Sequence, residues 1–511
     1  MSVLATVAGL GHAAQAARDA FERPAVDWHA LAPDLVVVGV LCLVLVADLF
    51  LPEDRKGVLP SLAGLGLLAA MVPVLTLAAD GTDRVLFGGA YAVDNFALVL
   101  KALFLVSGYV VVLLSTNYIA EGDYAEGEYY FLLLASILGM TVMASARDLV
   151  TIFVALEMLS IPAYLLAGWR KRDPKGNEAG VKYYLMGVFA TGILLYGMSL
   201  VYGLAGTTQL AGIGEALATG ESVPVISLAV VLVVAGFAFK VSAVPFHTWA
   251  PDTYEGAPTP ITAFLSVSSK AAGFVALVQL VVIGFAGQTE VVRPLLWLLA
   301  VLSMTVGNVV ALRQTNLVRM LAYSSGISQA GFILAPLAVV GQIGESTLTS
   351  VVTYLLIYAA MNLGAFTVVM AVARKTGSAE IPSFGGLITY APSLAVLMSI
   401  FLFALAGIPP LAGWLAKFVA FRAVVDADTG WAYALAVIMA INSVISLGYY
   451  ANVAREMWMN PVPDGDTSRV RVPVSLTAAL AITGLLTIAF GVTQWATDLG
   501  DVATFVASVS P

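Results

Sequence analysis

Fourteen stretches of roughly 20 predominantly apolar residues, each bounded by charges, glycine or proline, constrain this chain more than any other feature. They start near Pro33, Val58, Val93, Gly127, Asp148, Glu178, Pro224, Thr259, Arg293, Leu317, Ser346, Pro392, Gly430 and Val472. Each is long enough to cross a hydrocarbon core as a helix. No water there pairs with backbone N–H and C=O groups, so a spanning segment pairs them internally as a helix. The expected fold is therefore all-α, a polytopic membrane protein with about 14 transmembrane helices. Only 11% of the 511 residues are charged, against about 25% in soluble domains.

Lysine and arginine favour cytoplasmic loops. With the N-terminus outside, the inward loops carry Arg55, Lys56, Arg170, Lys171, Arg172, Lys175, Arg313, Arg319, Arg374, Lys375, Arg455, Arg469 and Arg471. The outward side carries Arg18, Arg23, Arg84, Arg147 and Arg293. This asymmetry predicts both termini on the extracytoplasmic side. The first 25 residues are not expected to act as a signal peptide, because Arg18 and Arg23 follow the mildly apolar stretch instead of preceding it. Residues 1–32 are read as an extracytoplasmic arm and 33–126 as spans 1–3. Spans 4–8 occupy 127–286 and spans 9–13 occupy 287–458. Residues 459–511 hold a loop, the last span and a tail with no functional signal.

Cofactor chemistry is narrowly bounded. One cysteine, Cys42, cannot supply the roughly four thiolates of an iron–sulfur cluster. Of three histidines, only His247 lies near a membrane segment, which excludes a bis-histidine membrane haem. No dinucleotide fingerprint or phosphate-binding loop is present, and no clustered basic surface suits a nucleic acid. Neither a cofactor nor a metal site is expected in this chain; a redox or ATP-driven process would place its cofactor on another subunit.

Six basic residues remain within spans: Lys101, Lys182, Lys240, Lys270, Lys417 and Arg422. Each costs at least ~2.5–3.5 kcal/mol at mid-membrane, and such charges often mark ion pathways. Glu157, in VALEMLSIP, is the deepest acid. Lys240 lies in FAFKVSAVPFH, Lys270 in AFLSVSSKAAGF and Lys417 in PPLAGWLAKF. Burial disfavours a charged ammonium and a nearby carboxylate favours it, so a lysine caught between the two can exchange a proton. The bland alternative for each is a static staple between helices. Four deep ionisable groups on four helices are more than helix glue requires, which points to transport. The remaining charges are weaker candidates. Lys182 can pair with Glu178 one turn away or reach the interface. His247 can relay protons or sit as a satisfied interior side chain. Lys101 shares a face with Asp94 and can extend to the interface, as can Arg422; Asp34 and Asp48 are expected to be solvated near span ends.

Pro245 follows Lys240 by five residues, and Pro409 and Pro410 precede Lys417. Proline removes a donor and clashes with the preceding turn, so spans 7 and 12 should break. Paired proline-interrupted spans point to a transport site. Five spans separate the two breaks, an odd offset that turns the second copy upside down. Two inverted five-helix repeats, with broken helices 7 and 12, are the expected architecture.

The stretch FKVSAVPFHTWAPDTYEGAPTPITAFLSVSSKAAGF, residues 239–274, with AGIPPLAGWLAKF, residues 406–418, closely resembles the signature of the antiporter-like subunits of respiratory complex I. Within that family the lysine at 417 and the absence of a long lateral helix resemble the bacterial N-type subunit. The resemblance implies that Glu157 matches the conserved carboxylate of the fifth helix, Lys240 the lysine of the broken seventh, Lys270 that of the eighth and Lys417 that of the broken twelfth. Lys182 and His247 match polar positions of the family's central hydrophilic axis. It further implies a non-redox, proton-translocating subunit of NADH–quinone oxidoreductase in the bacterial plasma membrane. Flavin and iron–sulfur clusters would sit on partner subunits. Further antiporter-like subunits would be direct neighbours, the bilayer would surround the chain, and the peripheral redox subunits would couple indirectly through a Glu157–Lys240 ion pair. Two rivals share the fold: a subunit of a multi-subunit cation/proton antiporter, and a scaffold that transports nothing.

Overall fold

The structure is a computed structural model that describes residues 26–122, 126–218, 223–341 and 345–506. Most of the expected N-terminal arm, including Arg18 and Arg23, lies outside the described residues.

In chain order the main helices are α1 (Trp28–Phe50), α2 (Leu59–Asp80), α3 (Asn95–Glu121), α4 (Glu126–Ser145), α5 (Leu149–Ala167) and α6 (Pro174–Ala205). There follow α7 (Val223–Lys240), α8 (Trp249–Gly256), α9 (Thr259–Gly284), α10 (Thr289–Ala311) and α11 (317–337). The chain ends with α12 (Glu345–Thr376), α13 (Pro392–Ala406), α14 (Ala412–Val425), α15 (Gly430–Met459), α16 (Val474–Val492) and the short α17 (Trp495–Val502). Among the described residues, 11 helices are long and apolar enough to cross a membrane. The segments 223–256, 317–337 and 392–425 are assembled from shorter pieces. Helix starts fall within a few residues of the predicted ones; α1 begins at Trp28, where Asp27 caps it by accepting from the His29 and Ala30 amides.

One departure from an all-helical chain is a small antiparallel hairpin, β1 (Arg84–Leu86) with β2 (Tyr91–Val93), in register Leu86↔Tyr91. Gly88 and Gly89, at φ 65° and 100°, turn the chain between them, a conformation glycine adopts without steric cost. The hairpin directs Tyr91 and Asp94 into the bundle, and both are buried.

The centre of the bundle is α9 and α12. Every residue of the apolar stretch of α12 is buried, and nearly all of α9, whereas under a third of α1 and α6 is. The two central helices also carry polar residues at this depth, including Ser266, Lys270, Tyr358 and Asn362. Such groups need partners on neighbouring helices, because lipid offers none.

Several expectations about peripheral charges are corrected here. Lys101 does not extend to the interface, and its ion-pair partner is Asp34, whereas Asp94 pairs with Arg147. Lys101 is fully buried and donates to Asp34 at 2.7 Å and to the Tyr91 hydroxyl at 2.7 Å. Asp34 is thus buried, not solvated, because Lys101 of α3 and Tyr91 of the hairpin both close on it. Asp94 caps α3 through the Ala97 amide and pairs with Arg147 at 2.6 Å, both side chains wholly enclosed. Arg147, read from sequence as a loop charge, is sealed by the C-terminal segment: Phe505 lies 5.0 Å from its guanidinium, and the Val506 amide donates to Asp94. Asp48 meets Lys56 at 3.3 Å.

Removing one partner of a buried ion pair strands the other charge. Asp34→Leu is expected to destabilise the protein by roughly 3–5 kcal/mol, and Asp34→Leu/Lys101→Met to recover most of that loss. Denaturant titration in detergent measures both; equal stability of the single variant and the parent would show that Lys101 does not depend on Asp34.

Candidate functional site

The first helix break begins where α7 ends, at Lys240. Residues 241–248 are unwound, with a cis Val244–Pro245 peptide and Ser242 at φ 58°. Pro245 has no N–H to give, so other groups must satisfy the backbone the break exposes. The Trp249 indole and the Ser242 amide both donate to the Phe239 carbonyl at 3.0 Å, and the Ala243 amide reaches Ala238 at 2.8 Å. The Val244 amide donates to Ser303 Oγ of α10 at 2.9 Å. Position alone places the Lys240 ammonium in the last turn of a helix, where the backbone dipole favours a cation.

Lys240 is 4% exposed. Its Nζ donates to Ser160 Oγ of α5 at 2.8 Å and lies 3.4 Å from the Tyr183 hydroxyl of α6. Tyr183 is fixed by stacking on Trp249, ring centroids 4.4 Å apart. The lysine stem lies against Gly273 of α9, where an added Cβ would stand 3.0 Å from Lys240 Cγ. Glu157 is half-buried, one turn before Ser160, and accepts from Thr191 of α6 at 3.0 Å. The expected Glu157–Lys240 ion pair is not formed. Ser160, three residues on from Glu157, faces the interior and takes the lysine, while the carboxylate turns to a hydroxyl on the more open face.

Lys270, 1% exposed, follows a π-helical turn at Leu265–Ser269 and donates to the Gly326 carbonyl. Gly326 lies in a second π-helical stretch, Ala322–Ser328, on α11. Such turns shift the i→i−4 ladder and recur at functional sites. Tyr358 of α12 joins the two stretches: its hydroxyl lies 2.6 Å from the Ser266 carbonyl and 2.8 Å from that of Ser325. Asn362, one turn further, donates to Ser266 Oγ at 3.0 Å and to the Tyr358 hydroxyl at 3.1 Å.

The second break separates α13 from α14, with Gly407 at φ 90° and a cis Pro409–Pro410 peptide. Lys417, 8% exposed, donates to the Ala406 carbonyl at 2.8 Å. The Gln329 amide donates to the neighbouring Leu405 carbonyl at 2.9 Å, and its oxygen accepts from the Tyr354 hydroxyl. The cation therefore caps the negative end of a half-helix. Gln329 is one turn from Gly326 on α11, so that helix serves both the Lys270 and the Lys417 sites.

Lys182 lies apart from this row. Its side chain is 42% exposed in an ionic cluster, 2.5 Å from Glu178 and 2.6 Å from Asp252; Arg319 bridges Asp252 and Glu255, and Lys175 completes it. His247 is half-buried within the first break, with Nδ1 enclosed and unpartnered among the described residues. Arg422 is exposed and pairs with Asp426 at 3.4 Å. Sequence reading missed Ser160, Tyr183, Gln329, Tyr358 and Asn362. The signal available was a polar residue repeated at i,i+4 inside an apolar run, as in Tyr358 and Asn362. Among the described residues, no three His, Cys, Asp or Glu side chains are grouped to hold a metal ion.

Three buried ammonium groups thus contact neutral oxygens only, with no carboxylate within 4 Å among the described residues. A lysine so placed can lose its proton without abandoning an anion, which suits transfer better than a closed ion pair.

Residues 146–446 match the family described as NADH:quinone oxidoreductase/Mrp antiporter, transmembrane. The chain is 40% identical over 466 residues to NADH-quinone oxidoreductase subunit N of Trichlorobacter lovleyi, covering 90% of this chain and 94% of that protein. It is 45% identical over 432 residues to NAD(P)H-quinone oxidoreductase subunit 2 of Synechococcus elongatus, covering 84% and 80%. A chain of respiratory complex I from Thermus thermophilus superposes with a TM-score of 0.76 at 31% identity, over 90% of this chain and 96% of that one. This chain belongs to the NADH:quinone oxidoreductase/Mrp antiporter transmembrane family.

Proposed function

We propose that this chain is the proton-translocating N-type membrane subunit of an NADH–quinone oxidoreductase. The observation that carries the reading is the row of buried lysines, Lys240, Lys270 and Lys417. Each ammonium is placed by a helix break or π turn and held by neutral oxygens. Identity to a subunit N over most of its length favours a redox-driven complex over a multi-subunit cation/proton antiporter.

The 11 long helices, with 223–256, 317–337 and 392–425 counted as interrupted spans, make fourteen crossings. With both termini extracytoplasmic, 127–286 and 287–458 form the two inverted repeats, and 1–32, 33–126 and 459–511 flank them. Lys240 and Lys417 then serve opposite halves of the bundle, with Lys270 between them. Glu157, held by Thr191 one turn from Ser160, acts electrostatically on Lys240, and quinone reduction in partner subunits shifts that arrangement. The proton passes from Lys240 by way of Lys270 towards Lys417, inside to outside. Moving it against 100 mV costs about 2.3 kcal/mol, equivalent to roughly a 50-fold change in proton affinity. Lys182 and His247 supply the row from the cytoplasmic side. The chain works in the bacterial plasma membrane beside other membrane subunits of the complex, and flavin and iron–sulfur centres reside on the peripheral subunits.

Two outcomes test this. Lys270→Met in the assembled complex should lower NADH–quinone electron transfer and proton uptake into sealed vesicles together, by about tenfold or more, with subunit content unchanged; full activity of both would contradict it. Gly273→Ala places a methyl against the Lys240 stem. It should reduce both activities several-fold while Lys240 itself is intact, and wild-type rates would show that the position of Lys240 is unimportant.

A further inference from the structure

Where α10 and α15 begin and α11 ends, the bundle holds a cavity of about 440 Å³ lined by Thr289, Glu290, Arg293, Pro294, Trp297 and Trp431. Arg293 is half-buried. Its Nε donates to the Val340 carbonyl at 2.8 Å, which fixes the guanidinium at the cavity. Trp297 donates to the Trp431 carbonyl at 3.1 Å, tying α10 to α15 across it. Arg293 and Glu290 are three residues apart on one helix, a spacing at which opposite charges commonly pair. Neither is among the ion pairs formed between described residues. Among the described residues the cavity therefore presents a cation and an anion without ionic partners, framed by two tryptophans, residues that concentrate at the headgroup level of a bilayer.

The opposite face of α15 is apolar and meets the surrounding lipid. Tyr433, Val437, Ile441 and Val444 are exposed along that face, with Leu298 exposed on α10.

We propose that this cavity binds the headgroup of a zwitterionic aminophospholipid of the phosphatidylethanolamine class. The phosphate takes the guanidinium nitrogens of Arg293 not used on Val340, the primary ammonium takes Glu290, and the acyl chains enter the surrounding lipid. Phosphatidylglycerol satisfies Arg293 but leaves Glu290 facing an uncharged glycerol. Phosphatidylcholine brings a quaternary ammonium that has no N–H to give Glu290. Soluble phosphoethanolamine has the matching charges without the chains.

The test uses the intact complex, purified in mild detergent and stripped of loosely held lipid, with Arg293→Gln, Arg293→Lys and Glu290→Gln variants. Tightly retained phospholipid is counted by mass spectrometry, and the thermal midpoint is followed as each of the four compounds is added. The expected result is one more phosphatidylethanolamine retained by wild type than by either glutamine variant. Its midpoint should rise by several degrees with phosphatidylethanolamine alone, and Arg293→Lys should keep part of the effect. Glu290→Gln removes only an exposed carboxylate, so it reads the site even if Arg293→Gln loosens the fold. Equal retention in wild type and Glu290→Gln overturns the proposal. So does equal stabilisation by phosphatidylglycerol, which would make the site a simple anion pocket, or by phosphoethanolamine, which would make it a site for a soluble ligand.

Discussion

A helix can break inside hydrocarbon only where other groups take over the carbonyls and amides it frees. In this protein the groups that do so are interleaved with those that hold the buried lysines. At the first break, Trp249 satisfies Phe239 and also stacks on Tyr183, the residue beside Lys240. At the second, Lys417 and Gln329 themselves satisfy Ala406 and Leu405. The unwound backbone and the ammonium groups therefore stabilise one another. Neither would be tolerated alone, since an unsatisfied carbonyl and an unsolvated cation are each costly at this depth.

Glycine makes the same dependence visible in three dimensions. Each of the three lysines lies over a glycine: Lys240 over Gly273, Lys270 beside Gly326 and Lys417 over Gly407. A lysine stem needs room to run along a neighbouring backbone, and a Cβ at these positions would stand 2.8–3.4 Å from a lysine atom. The α11 helix then links two of the sites, offering the Gly326 carbonyl to one and the Gln329 amide to the other. Tyr358 and Asn362, in the fully enclosed apolar stretch of α12, brace the π turns that make this geometry available.

The spans were legible because a segment that crosses hydrocarbon must be apolar for about 20 residues, and little else produces that pattern. The breaks were legible at Pro245 and at Pro409–Pro410, because proline removes a donor wherever it sits. The buried lysines stood out against the cost of a charge in an apolar run. Partner choice was not legible. Nothing in the sequence around Asp34, Asp94, Lys101 and Arg147 tells that they pair 34 with 101 and 94 with 147, because those contacts depend on how α1, the hairpin and α3 pack. The hydroxyl that takes Lys240 in place of Glu157 was hidden for the same reason. Ser160 is an ordinary residue in its own helix, and its role arises only when α7 ends beside it. The π turns were hidden as well, since no composition marks them.

The central claim is that Lys240, held by Ser160 and Tyr183 at the end of a broken helix, carries a proton that electron transfer elsewhere obliges to move. The most direct test is Lys240→Ala in the assembled complex, recording NADH–quinone electron transfer and proton pumping together in sealed vesicles. Normal assembly with both activities lost is the result predicted for a tightly coupled path through this residue. Normal assembly with both activities unchanged would contradict the claim and leave Lys240 a structural cap.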